Sequence, residues 1–316
     1  MISDMQFQDG IHLQLSELLG ASLPRFQLVK SKRKLPSMAT LNGQTRSRFR
    51  GQGMEFEEVR AYLPGDDIRN IDWRVTARTG ITHTKVFTED KEQLVFGILN
   101  QQQRLFFGSK KALKSVIAAH YFANILNQAR DQGHRVGAFL FDDHNHREFK
   151  PSNRRKHLMH ILSDVEKNHN LQIEQIKTSG FETQQHQGDN LSATLQRLTK
   201  IARPGSKIHI ISDLLPDADK IWESISLLAR HNQLQIWCII DILDWFIPSA
   251  NELTISDGNQ KKTLWFSKNR SQQYQNDFLT KIQNMQNKVW QSGAELHLLG
   301  SLPNQLETHT KPHATN

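Results

Sequence analysis

The stretch KIHIISDLLPDADKIWESISLLARHNQLQIWCII, residues 207–240, decides the fold. Lys207 to Ser212 is a short isoleucine-rich run closed by Asp213, the pattern of a buried strand. Asp217 to His231 reads as a helix, and Leu234 to Ile240 returns as a second apolar strand. Two strands joined through a helix run parallel, with the helix laid on one face of their sheet.

The same alternation extends outward in both directions. Upstream, Leu94 to Leu99 is an apolar strand. Lys110 to Gln132 is a helix with Leu113, Val116, Ile117, Ala119, Ala123, Leu126 and Ala129 toward one side, stopped by Gly133. Arg135 to Phe141 is a strand. Asp142-Asp143-His144-Asn145 turns into a further strand at Arg147 to Lys150, and Ser152 is placed to cap a helix reaching about Lys167. The polar stretch Asn168 to Gln187 reads as a loop, and Asn190 to Ala202 as a helix. Downstream, short strand-like runs between Phe246 and Phe266 are broken by turns at Pro248 and Asp257-Gly258. A helix from about Gln272 to Gln291 and a strand from Glu295 to Leu299 follow, and a disordered tail is expected from Pro303. The expected class is therefore α/β, a doubly wound and mainly parallel sheet with helices on both faces.

Ahead of this core lie a short helix at Gly10 to Gly20, a basic linker with Pro24 and Pro36, and the segment RSRFRGQGMEFEEVRAYLPGDDIRNIDWRVTARTG at 46–80. In that segment Pro64-Gly65-Asp66-Asp67 is a turn with a mechanism: Pro presets φ, Gly accepts positive φ, and Asp side chains bond nearby backbone N–H groups. With strand character at Thr82, Thr84, Val86 and Phe87, a small β-rich subdomain is expected. One reading makes the segment a hairpin braced by ion pairs and by burial of Phe56, Tyr62, Leu63 and Trp73; the other makes it a recognition surface. The expected boundaries are 1–45, 46–90, 91–245, 246–302 and 303–316.

Composition narrows the classes. The 316 residues are 37% apolar, enough to bury a core. The longest apolar runs fall well short of a membrane span, and the opening MISDMQFQDG lacks the charged and apolar regions of a secretion signal, so a cytoplasmic protein is expected. The formal charge is +8. It comes largely from Lys30, Lys32, Arg33, Lys34, Arg46, Arg48 and Arg50, and from Lys150, Arg154, Arg155 and Lys156. Only Phe26 and Phe49 lie near the first cluster, too few for base stacking, so a solvated or membrane-proximal basic face is expected and no nucleic-acid partner. The single cysteine, Cys238, sits in an apolar strand and reads as a buried structural thiol. Phosphate-loop, zinc-protease and nucleophile-elbow patterns are absent, and Asp142, Asp143, His144 and His146 read as a solvated turn.

The run Arg50-Gly51-x-Gly53-x-Glu55-Phe56, continuing through Arg60, Tyr62, Pro64, Gly65, Asp66, Asp67, Arg69, Ile71, Asp72, Trp73, Ala77 and Arg78, resembles the signature of the bacterial family called domain of unknown function 58. The resemblance covers roughly residues 46–301. It implies that the second part is a von Willebrand factor type A-like domain, in which three loops at the carboxyl edge of the sheet form a metal-ion-dependent adhesion site. That site takes Asp-x-Ser-x-Ser, a Thr and an Asp, hard oxygen ligands suited to Mg²⁺. Laid on this chain, the first loop becomes Asn100, Gln102 and Arg104, the Thr position falls at Asn190, and the third-loop Asp is Asp213.

A guanidinium where a hydroxyl should face the ion opposes Mg²⁺ binding. The expectation is that Arg104 replaces the metal by pairing with Asp213; no cofactor is expected, with Mg²⁺ the one candidate should the altered site keep affinity. The resemblance further implies a non-enzymatic adaptor that works with a MoxR-type AAA+ ATPase and other von Willebrand factor type A proteins in assembly, maturation or stress response. Two rivals stand beside it: a basic nucleic-acid-binding module, and a hydrolase built on a carboxylate such as Asp213 with a histidine.

Overall fold

A computed structural model describes residues 9–20, 54–89, 92–109, 112–180, 190–216, 218–247, 250–256 and 261–300, with the backbone alone at 54–58, 86–89, 190, 250–256 and 261–266. The chain divides into two compact units, Lys30–Glu92 and the remainder. The basic linker, the segment 181–189 and the tail from 301 lie outside the described residues.

The larger unit is built on a six-stranded sheet. Its strands are β3 (Leu94–Asn100), β4 (Arg135–Phe141), β5 (His146–Ser152), β6 (Lys207–Ser212), β7 (Gln233–Ile240) and β10 (Glu295–Gly300), in the order β10-β7-β6-β3-β4-β5. All pairings are parallel except β4 with β5, which the turn at 142–145 makes antiparallel. Both faces of the central strands are buried, which is why their sequences run as continuous apolar stretches.

On one face Val95, Leu99, Val136, Leu140, Ile211 and Trp237 pack with α1 (Leu15–Gly20), α3 (Lys114–Asp131) and α4 (Arg155–Ser179). On the other Phe96, Ile98, Phe139, Ile208, Ile210 and Ile236 pack with α5 (Asn190–Ile201), α6 (Asp219–His231) and α7 (Lys268–Ser292). The doubly wound α/β class read from the sequence is the class observed. Contact between β3 and α3 is close enough to require glycine: a Cβ on Gly97 would lie 2.6 Å from the Phe122 ring.

Two expectations in this unit are corrected. The polar stretch from Asn168 to Ser179 is not a loop but the second half of α4. Buried Leu158, Ile161, Leu162, Val165, His169, Gln172 and Ile173 keep one helical stripe running through it, with polar members where the stripe meets other loops. Ser152 is not the helix cap either: Arg154 occupies that position without a side-chain cap, and Ser152 Oγ accepts from the Arg154 N–H. A separate hairpin, β8 (Ala250–Ser256) with β9 (Lys261–Phe266), precedes α7.

In the smaller unit β1 (Met54–Ala61) pairs antiparallel with β2 (His83–Glu89). The connection is longer than a hairpin turn. It holds a 3₁₀ turn at Ile68–Asn70 and a helix, α2 (Trp73–Thr79), which the β-rich reading of this segment did not include. Burial is corrected as well, since Trp73 is 67% exposed and Leu63 58%. What shapes the segment is local hydrogen bonding. Asp66 N–H donates to Leu63 O with Gly65 at φ +110°, Asp67 caps the 3₁₀ turn, Asp72 caps α2, and Gly80 ends α2 at φ +70°.

Candidate functional site

The order of strands reverses between β3 and β6, and in open parallel sheets the carboxyl edge at such a point is where ligands gather. Four strands end there in an amide or carboxylate side chain: Asn100 closes β3, and Asp142, Asp213 and Asp241 directly follow β4, β6 and β7. The loop after β3 is the hub that joins them.

Asn100 is buried, its Nδ2 donating to Ser212 Oγ at 3.0 Å and its Oδ1 accepting from the Gln102 N–H at 2.8 Å. Ser212 Oγ in turn donates to Asp213 Oδ1 at 3.2 Å. A 3₁₀ turn at Gln103–Leu105, anchored by buried Leu105 and Phe106, lifts Arg104 to the rim, where its guanidinium meets Asp213 Oδ1 at 3.0 Å. Burial pushes the Asp213 carboxyl above its ordinary value, and the charges of Arg104 and Lys114 oppose that rise.

The hub reaches its other neighbours through paired groups too. Toward β4, Gln102 Nε2 donates to Asp143 Oδ1 at 3.1 Å and the Gln103 N–H to Asp143 Oδ2 at 2.7 Å. Toward β7, the Ser109 N–H donates to Asp241 Oδ2 at 3.0 Å, while the buried ammonium of Lys114 sits 3.1 Å from Asp244 Oδ1. Asp241 and Asp244 cap one another's turn, so both are oriented before the lysine arrives. Cys238 lies beneath this cluster, fully buried, and burial pushes its thiol up. Among the described residues no group of three His, Cys, Asp or Glu is arranged to hold a metal ion.

The structure thus brings Asn100, Gln102, Arg104 and Asp213 together at one edge. Asn190 opens α5, and its side chain lies outside the described residues. Other residues of the edge carried no readable signal in isolation. Gln101 is buried, donates from Nε2 to Val165 O at 3.1 Å and accepts from Asn168 at 3.2 Å, while Gln172 donates to Gln101 O at 3.0 Å. Asn168 and Gln172 stand four apart on α4, a spacing that aims both at one target. It becomes visible only once 168–179 is known to be helical.

One further buried constellation is Ser115 Oγ at 3.0 Å from His169 Nε2, with Asn170 Oδ1 at 3.4 Å from His169 Nδ1. Its members resemble a nucleophile and its base, yet the Asn170 amide is also bonded to both Leu13 N–H and Leu13 O, and the Phe106 ring stacks on His169 at 4.8 Å. This group locks residue 13 against α3 and α4; with His169 1% exposed it offers no path for a substrate.

In the smaller unit Arg60 pairs with Asp66 at 2.8 Å, and Lys85 approaches Asp72 at 3.6 Å. Backbone N–H groups hold both carboxyls below their ordinary values, from Leu63 at Asp66 and from Val75 at Asp72. Tyr62 is half-buried, and Arg69, Trp73 and Arg78 are exposed. Arg50, Gly51 and Gly53 lie outside the described residues, and Glu55 and Phe56 are described by their backbone in β1.

These two regions fall inside one stretch of detectable kinship, because the profile of the family described as Protein of unknown function DUF58 matches residues 58–288, well over half of the chain. The chain belongs to the DUF58 family. An uncharacterised protein of Mycobacterium bovis, and uncharacterised proteins of two Mycobacterium tuberculosis strains, are each 27% identical to it over 249 residues, 79% of this chain and 74% of each relative. The DUF58 match begins within β1, takes in the whole segment from Arg60 to Arg78 and every loop of the β3–β6 edge, and ends within α7.

Proposed function

We propose that this DUF58 protein is a non-enzymatic adaptor that works with a MoxR-type AAA+ ATPase in the assembly or maturation of other complexes. In this reading the larger unit is a von Willebrand factor type A-like domain whose adhesion site uses Arg104 in place of a metal. The observation that carries the reading is the Arg104–Asp213 pair at the reversal point between β3 and β6. A cation bound by Asp213 at that place does the structural work of Mg²⁺: it neutralises the carboxylate and ties two loops. Arg104 is 40% exposed at its side chain, so N–H groups of its fork remain to meet a carboxylate of a partner. The non-enzymatic part of the reading is supported by how the acids of the edge are engaged. Asp143 is bonded to backbone and amide N–H groups, Asp213 and Asp244 are bonded to cations, and among the described residues none of the three pairs with a histidine.

The test is affinity capture of the tagged protein from nuclease-treated native lysate, with and without ATP. Recovery of an AAA+ ATPase in a nucleotide-dependent way, lost in Arg104→Glu, is expected; recovery dominated by nucleic acid would favour a basic nucleic-acid-binding module instead. Titration with Mg²⁺ checks the other half. Micromolar affinity that disappears in Asp213→Ala would overturn the replacement of the metal by Arg104.

A further inference from the structure

Single exposed apolar side chains are ordinary on a protein surface, but a group of them is not. Within residues 63–81 of the smaller unit four large ones stand exposed: Leu63, Ile68 at 66%, Trp73 at 67% and Ile81 at 62%. The helix α2 has a clear inner side, where Val75 and Thr76 are half-buried and Thr76 Oγ1 accepts the His83 N–H of β2 at 3.0 Å. Its outer side carries Trp73 and Ala77, and beside them Arg74 and Arg78, each pair one helical turn apart.

The charge of this outer side is positive, for a structural reason. The nearby carboxylates are consumed locally: Asp66 by Arg60 and the Leu63 N–H, Asp67 by the Arg69 N–H, and Asp72 by the Arg74 and Val75 N–H groups. Among the described residues no carboxylate pairs with Arg69, Arg74 or Arg78. A tryptophan flanked by guanidinium forks that meet no carboxylate among the described residues is the composition of an interface centre: the ring supplies area, and the forks bind carboxylates through paired hydrogen bonds.

We propose that the outer face of α2 is a docking surface for a protein segment in which Asp or Glu residues flank an apolar side chain. Charge complementarity selects this occupant. A nucleic acid strand would call for successive aromatic platforms, and among the described side chains of this unit Trp73 is the one exposed aromatic. A membrane surface would call for a longer amphipathic helix than the seven residues of α2. The surface belongs to the smaller unit and the β3–β6 edge to the larger, and the proposal does not depend on how that edge works.

The test is selection of a random dodecapeptide phage library on the full chain, with the Trp73→Ala/Arg78→Glu chain as counter-target. Peptides with Asp or Glu on both sides of Leu, Ile or Phe are expected. A synthetic copy of the leading sequence should lose about tenfold in affinity with Trp73→Ala, and as much with Arg74→Glu or Arg78→Glu, while each variant melts with the wild type. Failure to enrich acidic sequences, or equal affinity for wild type and variants, would overturn the proposal. So would a lowered melting temperature in Trp73→Ala, which would mean that the ring braces the fold. Binding of a thymidine oligonucleotide, or of phosphatidylserine-containing vesicles, that these variants abolish and the peptide does not displace would assign the face to another ligand. The peptide affinity of Arg104→Glu, measured beside the ATPase capture, separates failure of this surface from failure of the β3–β6 edge.

Discussion

Two regions of this protein draw on the same residue types and put them to opposite use. At the β3–β6 edge the cations are engaged by carboxylates of the edge itself: Arg104 binds Asp213 and Lys114 binds Asp244, with part of the Arg104 fork still exposed at the rim. In the segment around α2 the carboxylates are turned inward instead, onto backbone N–H groups at caps and turns, and Arg69, Arg74 and Arg78 face outward. What an aspartate accepts from decides which surface results. A carboxylate that satisfies a side-chain cation ties that cation to the fold, and one that satisfies backbone amides leaves the neighbouring cations available.

The contrast can be broken most forcefully through the platform under the β3–β6 edge. Gly97→Ala sets a methyl group against the Phe122 ring, and should cost the larger unit about 3 kcal/mol in chemical denaturation without altering the α2 face. Acid should separate the units next. Burial holds His120 and His169 down at about 4, so below about pH 6.5 the unfolded chain binds protons that the native larger unit refuses. Stability therefore falls as pH drops from 6.5 toward 4, on the order of 2 kcal/mol for His169, and His169→Gln should flatten that slope. In the smaller unit the lowered carboxyls of Asp66 and Asp72 work the other way in range. Their contribution is intact above the ordinary carboxylate value and is lost only as pH falls below it. Hydrogen exchange at pH 7 and pH 5 should thus show loosening in the larger unit alone.

A smaller effect is expected from Arg104→Ala. It leaves Asp213 without the cation that opposes its burial, at a cost of about 1 kcal/mol at neutral pH given the exposure of the arginine. The difference from wild type should shrink as acid protonates Asp213 in both proteins. The smallest effect belongs to Trp73→Ala, within about 0.5 kcal/mol; a larger loss would show that the residue braces the fold.

The parallel core was readable because β3, β4, β6 and β7 are buried on both faces and so carry runs that only a sheet interior explains. The Arg104–Asp213 contact was readable through the family resemblance, which set a cation at Arg104 where the adhesion-site pattern has a hydroxyl and matched Asp213 to the pattern's third-loop carboxylate. Asn168 and Gln172 were not readable. Their polarity serves Gln101, which stands some seventy positions away in the chain, and hydropathy cannot distinguish a helix face aimed at a polar loop from the loop itself. Trp73 misled in the other direction, since a tryptophan in a dense motif suggests a core, whereas α2 keeps its small residues inward and turns the ring out.

The division of the chain has one further consequence. The described residues 9–20 pack with the body that resumes after Glu92, so the unit at 30–92 interrupts a body whose two parts are sequence-distant but fold as one. Asn127 and Asn170 pin the backbone of Leu18 and Leu13 to α3 and α4, which anchors the near side of the interruption. A module held at both ends by one host is a cassette. Its described strands take no place in the six-stranded sheet, so a chain in which 30–92 is excised and bridged is expected to keep every strand of that sheet.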